Sequence, residues 1–306
     1  MNSGSAPDGN PRSASRRTFL TRLAGALAAP TVIGLGDLGR LGDGDEVGRT
    51  RGASAALDRG SLGPIGIQLY TVRHLMEKDP DGTLAALARI GYTQVELIKA
   101  NVQQPAAMRK MLDKNHLKAP SGHLTLVDMR QNWPLALDNA AIMGQSYLVC
   151  SSVAENERTT DDWHRIAAEL NKLGEASRRH GIQLAYHNHA YEWTPTGSAV
   201  PYEILLTECD AGLVQFEIDI MHMAEGGQSP LTYFARYPGR FPLLHVKDMT
   251  KQGEMVDVGH GSIDFGPIFA RAAQGGVKYY FVENDNPPDP ITDAKVCYDY
   301  LRQLRF

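Results

Sequence analysis

From Pro64 to the C-terminus the chain alternates short apolar runs with longer amphipathic stretches, and it does so eight times. No other feature constrains the fold as much. The first four runs are Ile65–Tyr70, Gln94–Leu97, Ala119–Leu124 and Tyr147–Cys150. The last four are Gln-Leu-Ala-Tyr-His-Asn-His from 183, Val-Gln-Phe-Glu-Ile-Asp from 214, Pro-Leu-Leu-His-Val-Lys-Asp from 242 and Tyr-Tyr-Phe-Val-Glu-Asn-Asp from 279. Their Val, Ile, Leu and Tyr content suits parallel strands covered on both faces. Helical spacing fills the gaps over 83–90, 106–115, 133–143 and 161–180, then near 201–207, 230–237 and 267–274, with a last helix over 291–303. Gly91, Gly144 and Gly181 stand where helix C-caps belong. Eight strand–helix units predict an α/β fold, a single (β/α)8 TIM barrel over 64–306. An open doubly wound sheet is the alternative, but no Gly-x-Gly-x-x-Gly turn follows the first strand.

In such a barrel, chemistry collects where strands end at the C-terminal face. Four metal-type side chains close the last four strands: His187, Asp219, His245 and Glu283. A lone Asp or Glu at a strand end is commonly a helix cap, and a lone His is commonly a satisfied polar residue. Four of them in order point instead to one metal site. Lys247 lies two residues past His245 and shares its face of the strand. There it is placed to stabilise developing negative charge, or to form an ion pair with Asp219 or Glu217. His189 shares a face with His187 and is a further candidate base. Glu96 and His123, on strands two and three, are expected at the same mouth as substrate contacts. Trp193 is expected to contact substrate as well, although core packing is the commoner use of a Trp. Tyr70 and the turn Gly259-His260-Gly261 are weaker candidates for the same role.

The ordered motifs Gln-Leu-Ala-Tyr-His-Asn-His, Glu-Ile-Asp-Ile-Met-His, Leu-Leu-His-Val-Lys-Asp-Met, Val-Gly-His-Gly-Ser-Ile-Asp-Phe and Tyr-Phe-Val-Glu-Asn-Asp resemble the xylose-isomerase-like sugar isomerase/epimerase superfamily. That superfamily includes sugar epimerases, inosose dehydratase and endonuclease IV. The resemblance runs from Ile65 to the C-terminus and is strongest from Leu184 onward. It implies one divalent metal, Mn, Mg, Co or Zn, held from strands five to eight, here by His187, Asp219, His245 and Glu283. It also gives His222 a place beside substrate. The strand-five ligand in the family is commonly Glu, which doubles as one of two acid/base groups, and this chain has His187 there. The expected activity is metal-dependent isomerisation or epimerisation of a sugar. It would proceed by proton abstraction next to a carbonyl through a metal-stabilised enediolate, with Glu283, His187, His189 and Lys247 as the catalytic set. A lyase or dehydratase acting on keto-sugars or 3-keto-glycosides is the alternative within the enzymes. A non-catalytic exported sugar-binding protein is the alternative outside them.

The formal net charge of −4 and the lack of a long basic run oppose nucleic-acid binding, and with it an endonuclease. Cys150, Cys209 and Cys297 are odd in number and widely spaced, so they read as buried free thiols. Ser15-Arg16-Arg17-Thr18-Phe19-Leu20, followed by an Ala/Gly/Leu-rich stretch, resembles a twin-arginine export signal over 1–35. Residues 36–63 read as a flexible linker. The expected partner is a small sugar in a periplasmic or other extracytoplasmic compartment, with no stable membrane insertion once the signal is removed. Barrels of the resembled family are often homo-oligomers.

Overall fold

The structure, a computed structural model, describes residues 60–306. The twin-arginine motif and most of the stretch read as linker lie outside the described residues. The last part of that stretch is anchored. Gly60 N donates to Phe306 O at 2.7 Å, and Phe306 N donates back to Gly60 O at 3.2 Å, so the start of the barrel is tied to its end.

Seven strands come first: β1 (Gly66–Gln68), β2 (Gln94–Ile98), β3 (Lys118–Leu124), β4 (Tyr147–Cys150), β5 (Gln183–His187), β6 (Val214–Asp219) and β7 (Leu243–Val246). The short antiparallel pair β8 (Asp248–Met249) and β9 (Met255–Val256) follows, and then β10 (Tyr279–Val282). All but β8 and β9 close into one parallel barrel in the order β1-β10-β7-β6-β5-β4-β3-β2. The eight expected strands are the eight barrel strands.

The helices are α1 (Arg73–Lys78), α2 (Pro80–Ile90), α3 (Pro105–Lys114), α4 (Leu126–Met143), α5 (Thr160–Arg179), α6 (Pro201–Glu208), α7 (Ile220–Glu225), α8 (Pro230–Arg236), α9 (Phe265–Ala270), α10 (Ala272–Gly275) and α11 (Pro290–Gln303). α4 starts well before 133, the position at which the spacing alone begins the helix. Thr125 and Asp128 form a reciprocal capping box, Asp128 N to Thr125 Oγ1 and Thr125 N to Asp128 Oδ2, each 3.1 Å. Pro134 then forces a kink at Asn132, whose side chain re-caps the second half by accepting from Leu135 N at 3.2 Å. Among the described residues no helix is long and apolar enough to cross a membrane.

Strand alternation separates two cores. Outward-facing residues such as Leu184, Tyr186, Phe216, Ile218, Leu244 and Val246 join the large cluster beneath the helices. Inward-facing Tyr147, Val149, Ala185, Leu243 and Phe281 fill the lower barrel. Gly66 makes room for this plug, since a Cβ there would stand 2.5 Å from the Phe281 ring. Cys150, Cys209 and Cys297 are free and buried, as expected. Burial pushes the thiols of Cys209 and Cys297 up to about 12, which leaves them protonated and unreactive at neutral pH.

Candidate active site

Directly above the apolar plug, the same alternation turns polar side chains inward. Gln68, Glu96 and Ser121 stand in register across β1, β2 and β3. Glu217 on β6 and His245 on β7 complete this lower layer, and all five are fully buried. Glu96 Oε2 accepts from Gln68 Nε2 at 2.8 Å and lies 2.6 Å from His245 Nε2, while Ser121 Oγ donates to Glu96 Oε1. His123, near the end of β3, lies above the two carboxylates, with Nε2 2.6 Å from Glu217 Oε2 and 3.2 Å from Glu96 Oε2. Its ring stacks on that of His245, with centroids 5.0 Å apart and planes 4° from parallel.

Charge is divided unevenly in this layer. Burial alone would raise Glu96, but the charges of His123 and His245 win and hold it far below the usual carboxylate range. Burial and the neighbouring charge of Glu96 push Glu217 up to about 7. Burial opposes a charge on His123, yet Glu96 and Glu217 outweigh it and lift the imidazole to about 9. His245 is raised well above its ordinary value because Glu217, Glu283 and Glu96 together overcome burial. His187 goes the other way: burial, then the charges of His245 and His123, keep it neutral.

The layer above faces the mouth. Asp219 ends β6, and its Oδ1 caps α7 by accepting from His222 N at 2.9 Å. Its Oδ2 is buried without an aligned hydrogen-bond donor, although Lys247 Nζ stands 3.3 Å away. Glu283 follows β10, and its Oε2 lies 2.8 Å from both His245 Nδ1 and Lys247 Nζ. Lys247 also reaches Asp285 at 2.9 Å. The charges of Glu283, Asp219 and Asp285 raise the ammonium well above its ordinary value against the opposing effect of burial. In turn Lys247 and then His245 hold the Glu283 carboxyl far down, although burial opposes. His189 is pushed down to about 4 by burial and by His222, so it is a neutral imidazole at pH 7.

A cavity of about 530 Å³ opens over this layer, with Tyr70, His123, His187, His189, His222, Lys247 and Glu283 in its wall. Most of the residues picked out in the sequence therefore share one mouth, and their relation to one another is specific. Ligand-capable atoms of Asp219, His245 and Glu283 lie within 4.8 Å of one another. His187 is not gathered with Asp219 and Glu283. It belongs to a second set with His123, Glu217 and His245, and its ring centroid is 4.6 Å from that of His245. The three convergent donors fit a divalent cation: two carboxylates and one imidazole, with a buried carboxylate oxygen that has no hydrogen-bond donor of its own.

Three expectations need correction. Glu96 does not reach the mouth, because it sits two residues before the end of β2 and hence one inward-facing layer too deep, with no exposed surface. Trp193 is core rather than sugar platform. It belongs to a short 3-10 turn after β5 that rotates the indole into an aromatic nest, 4.1 Å from the Tyr202 ring and 5.0 Å from that of Tyr233. Gly259-His260-Gly261 lies away from this cavity and is a built loop. Asp248 Oδ2 accepts from Gly259 N and Gly261 N at 3.0 Å each, and a Cβ on Gly261 would meet Asp248 Oδ1 at 2.1 Å.

Two buried carboxylates of the site have no such place in the sequence analysis. In the sequence Glu217 reads only as a partner for Lys247, yet its place two residues before Asp219 puts it on the same inward face. Glu192 is buried behind His189, accepting from His189 N at 2.8 Å and from Tyr186 Oη at 2.7 Å. Burial lifts its carboxyl to about 7.

Known proteins are similar along most of the chain. An inosose dehydratase from Lacticaseibacillus casei is 26% identical over 254 residues, covering 69% of this chain and 85% of its own. A sugar phosphate isomerase/epimerase from Parabacteroides distasonis superposes with a TM-score of 0.70 at 26% identity, over 82% of this chain and 97% of that one. The IOLI protein, solved with a zinc atom, shares the fold at 15% identity with a TM-score of 0.60, over 79% of this chain and 96% of that one. Residues 84–303 match the family described as Xylose isomerase-like TIM barrel, and with that match spanning most of a closed eight-stranded parallel barrel, the chain belongs to this family.

Proposed function

We propose that the protein is a divalent-metal-dependent enzyme that removes a proton next to the carbonyl of a sugar-like ketone and expels a group from the adjoining carbon. The observation that carries the reading is the convergence of Asp219, His245 and Glu283 within 4.8 Å, at the C-terminal face of a barrel and under an open cavity. These three would hold the metal, with His187 at their flank. When bound, the metal supplies Lewis-acid polarisation and orientation of a carbonyl and a neighbouring hydroxyl.

The chain's own groups carry the protons. Glu283 is ionised, lines the cavity and takes the proton from carbon. Lys247, a cation at the cavity wall, faces the negative charge that this leaves on the substrate oxygen. His123, charged at neutral pH with its carboxylate partners behind it, donates its own proton to the departing oxygen. The C–H electron pair becomes the new C=C bond, the C–O bond breaks, and water or an alcohol leaves. An acid on one side and an ionised base on the other suit elimination, the reaction class of the dehydratase relatives.

Isomerisation or epimerisation is the second reading. It is favoured by His189, a neutral imidazole in the cavity wall that can hold a proton between two carbons. Elimination stands first because His187, kept neutral by burial, lacks the acidic imidazolium proton that delivery to the opposite face would need.

Metal content separates both readings from a sugar-binding protein. Purified protein dialysed against Mn, Co, Zn or Mg is expected to retain one equivalent, and Asp219→Ala is expected to weaken that binding by more than about 100-fold. Equal retention by the two proteins, or none in either, rejects the metal site.

A further inference from the structure

We infer that Glu96 is a positioning residue: it holds the Nε2–H of His245 and so turns Nδ1 of that imidazole toward Asp219 and Glu283. The inference rests on the metal reading above, but it concerns a residue to which that reading gives no task. Three observations carry it. Glu96 is fully buried, too deep to meet substrate, and yet it is the most heavily tethered carboxylate of the site. Gln68 Nε2 at 2.8 Å and Ser121 Oγ fix its two oxygens from β1 and β3, so its rotamer is held independently of His245. His245 then offers opposite nitrogens to opposite layers, Nε2 to Glu96 Oε2 at 2.6 Å and Nδ1 to Glu283 Oε2 at 2.8 Å.

A histidine donates to only one side once its other nitrogen ligates a cation, and a carboxylate behind the ring decides which nitrogen keeps the proton. Glu217 is the weaker candidate for this task. Its Oε2 is 3.3 Å from His245 Nε2 but 2.6 Å from His123 Nε2, so it serves chiefly His123. A second cation among His123, His187, Glu217 and His245 is the competing account of this layer. In the metal-free protein the 2.6 Å contact from Glu217 to His123 is a hydrogen bond, and the number of zinc equivalents bound in the test below separates the two accounts.

The test compares zinc binding by the parent, Glu96→Gln, Glu96→Leu and Glu217→Gln, using a competing chelator dye. It adds ¹⁵N-histidine spectra of the zinc-loaded proteins, which report which ring nitrogen keeps its proton. The parent is expected to bind one equivalent, with His245 protonated at Nε2. Glu96→Leu is expected to weaken zinc binding by about 10–100-fold and to lose that single protonation pattern. Glu96→Gln keeps an acceptor for Nε2–H and is expected to recover most of the affinity and the parental pattern. Glu217→Gln is expected to leave the His245 pattern unchanged.

Parental affinity and pattern in a folded Glu96→Leu overturn the inference while leaving the metal reading intact. The same holds for His245 protonated at Nδ1, or for two equivalents of zinc in the parent with the second lost in Glu217→Gln. Absence of zinc from the parent instead defeats the metal reading itself. Circular dichroism melts identify any variant that fails to fold, and Glu96→Met, which keeps the length of the side chain but offers no acceptor to Nε2–H, takes the place of Glu96→Leu if that variant does.

Discussion

Glu283→Gln is expected to lower turnover of a keto-inositol or 3-keto-glycoside by about 10²–10⁴-fold, the usual contribution of a positioned proton-transfer group. The amide keeps the shape of the carboxylate and can still accept from Lys247 Nζ, which stands 2.8 Å from Glu283 Oε2. What it loses is basicity. Because Glu283 also belongs to the metal trio, the comparison is made at saturating metal, where a loss confined to affinity would disappear. A fall in kcat that persists with the metal site full supports Glu283 as the base. Parental kcat under those conditions moves the proton to His189 or His187.

Lys247→Met is expected to act oppositely on folding and on metal binding. In the metal-free protein the Lys247 ammonium is the cation shared by Asp219, Glu283 and Asp285, and its side chain is 4% exposed. Removing one partner of a buried ion pair costs about 3–5 kcal/mol, since the stranded charges stay behind. For a barrel of this size that is a fall in Tm on the order of 10 °C. The same stranded carboxylates attract a divalent cation more strongly, so the variant binds metal more tightly and regains stability when metal is added. Unchanged melting without metal, or weaker metal binding, contradicts the role given to Lys247.

The strands were legible because the chain writes their parity. His245 and Lys247 two residues apart, like Glu217 and Asp219, fix which face points inward wherever the strand ends. Depth is another matter. How far along one strand lies level with a residue on another depends on the stagger of the barrel, and no single strand encodes that. For Glu96 the sequence therefore implies the face but not the height, since Gln68, Glu96 and Ser121 become level only once β1, β2 and β3 pair. Trp193 failed differently. A strand period cannot be carried past His187, because the chain leaves the sheet there and the 3-10 turn over Tyr191–Trp193 redirects the ring. α1, α7 and the β8–β9 hairpin are too short to show a period of their own, and their caps and pairings are tertiary. α7, for instance, begins where Asp219 Oδ1 accepts from His222 N, so one residue serves as both cap and candidate ligand. The gathering of Asp219, His245 and Glu283 followed from strand order alone, whereas the separation of His187 from Asp219 and Glu283 did not.

The most direct test of proton abstraction next to a carbonyl is the fate of a deuterium placed on that carbon. Metal-loaded protein is incubated with keto-inositols, keto-sugars and 3-keto-glycosides deuterated beside the carbonyl, and the label is followed by NMR in substrate, product and water. The account predicts that label passes to water as an unsaturated ketone and its leaving group appear, and that Glu283→Gln slows both events together. Product that forms with the deuterium still on its original carbon would contradict it.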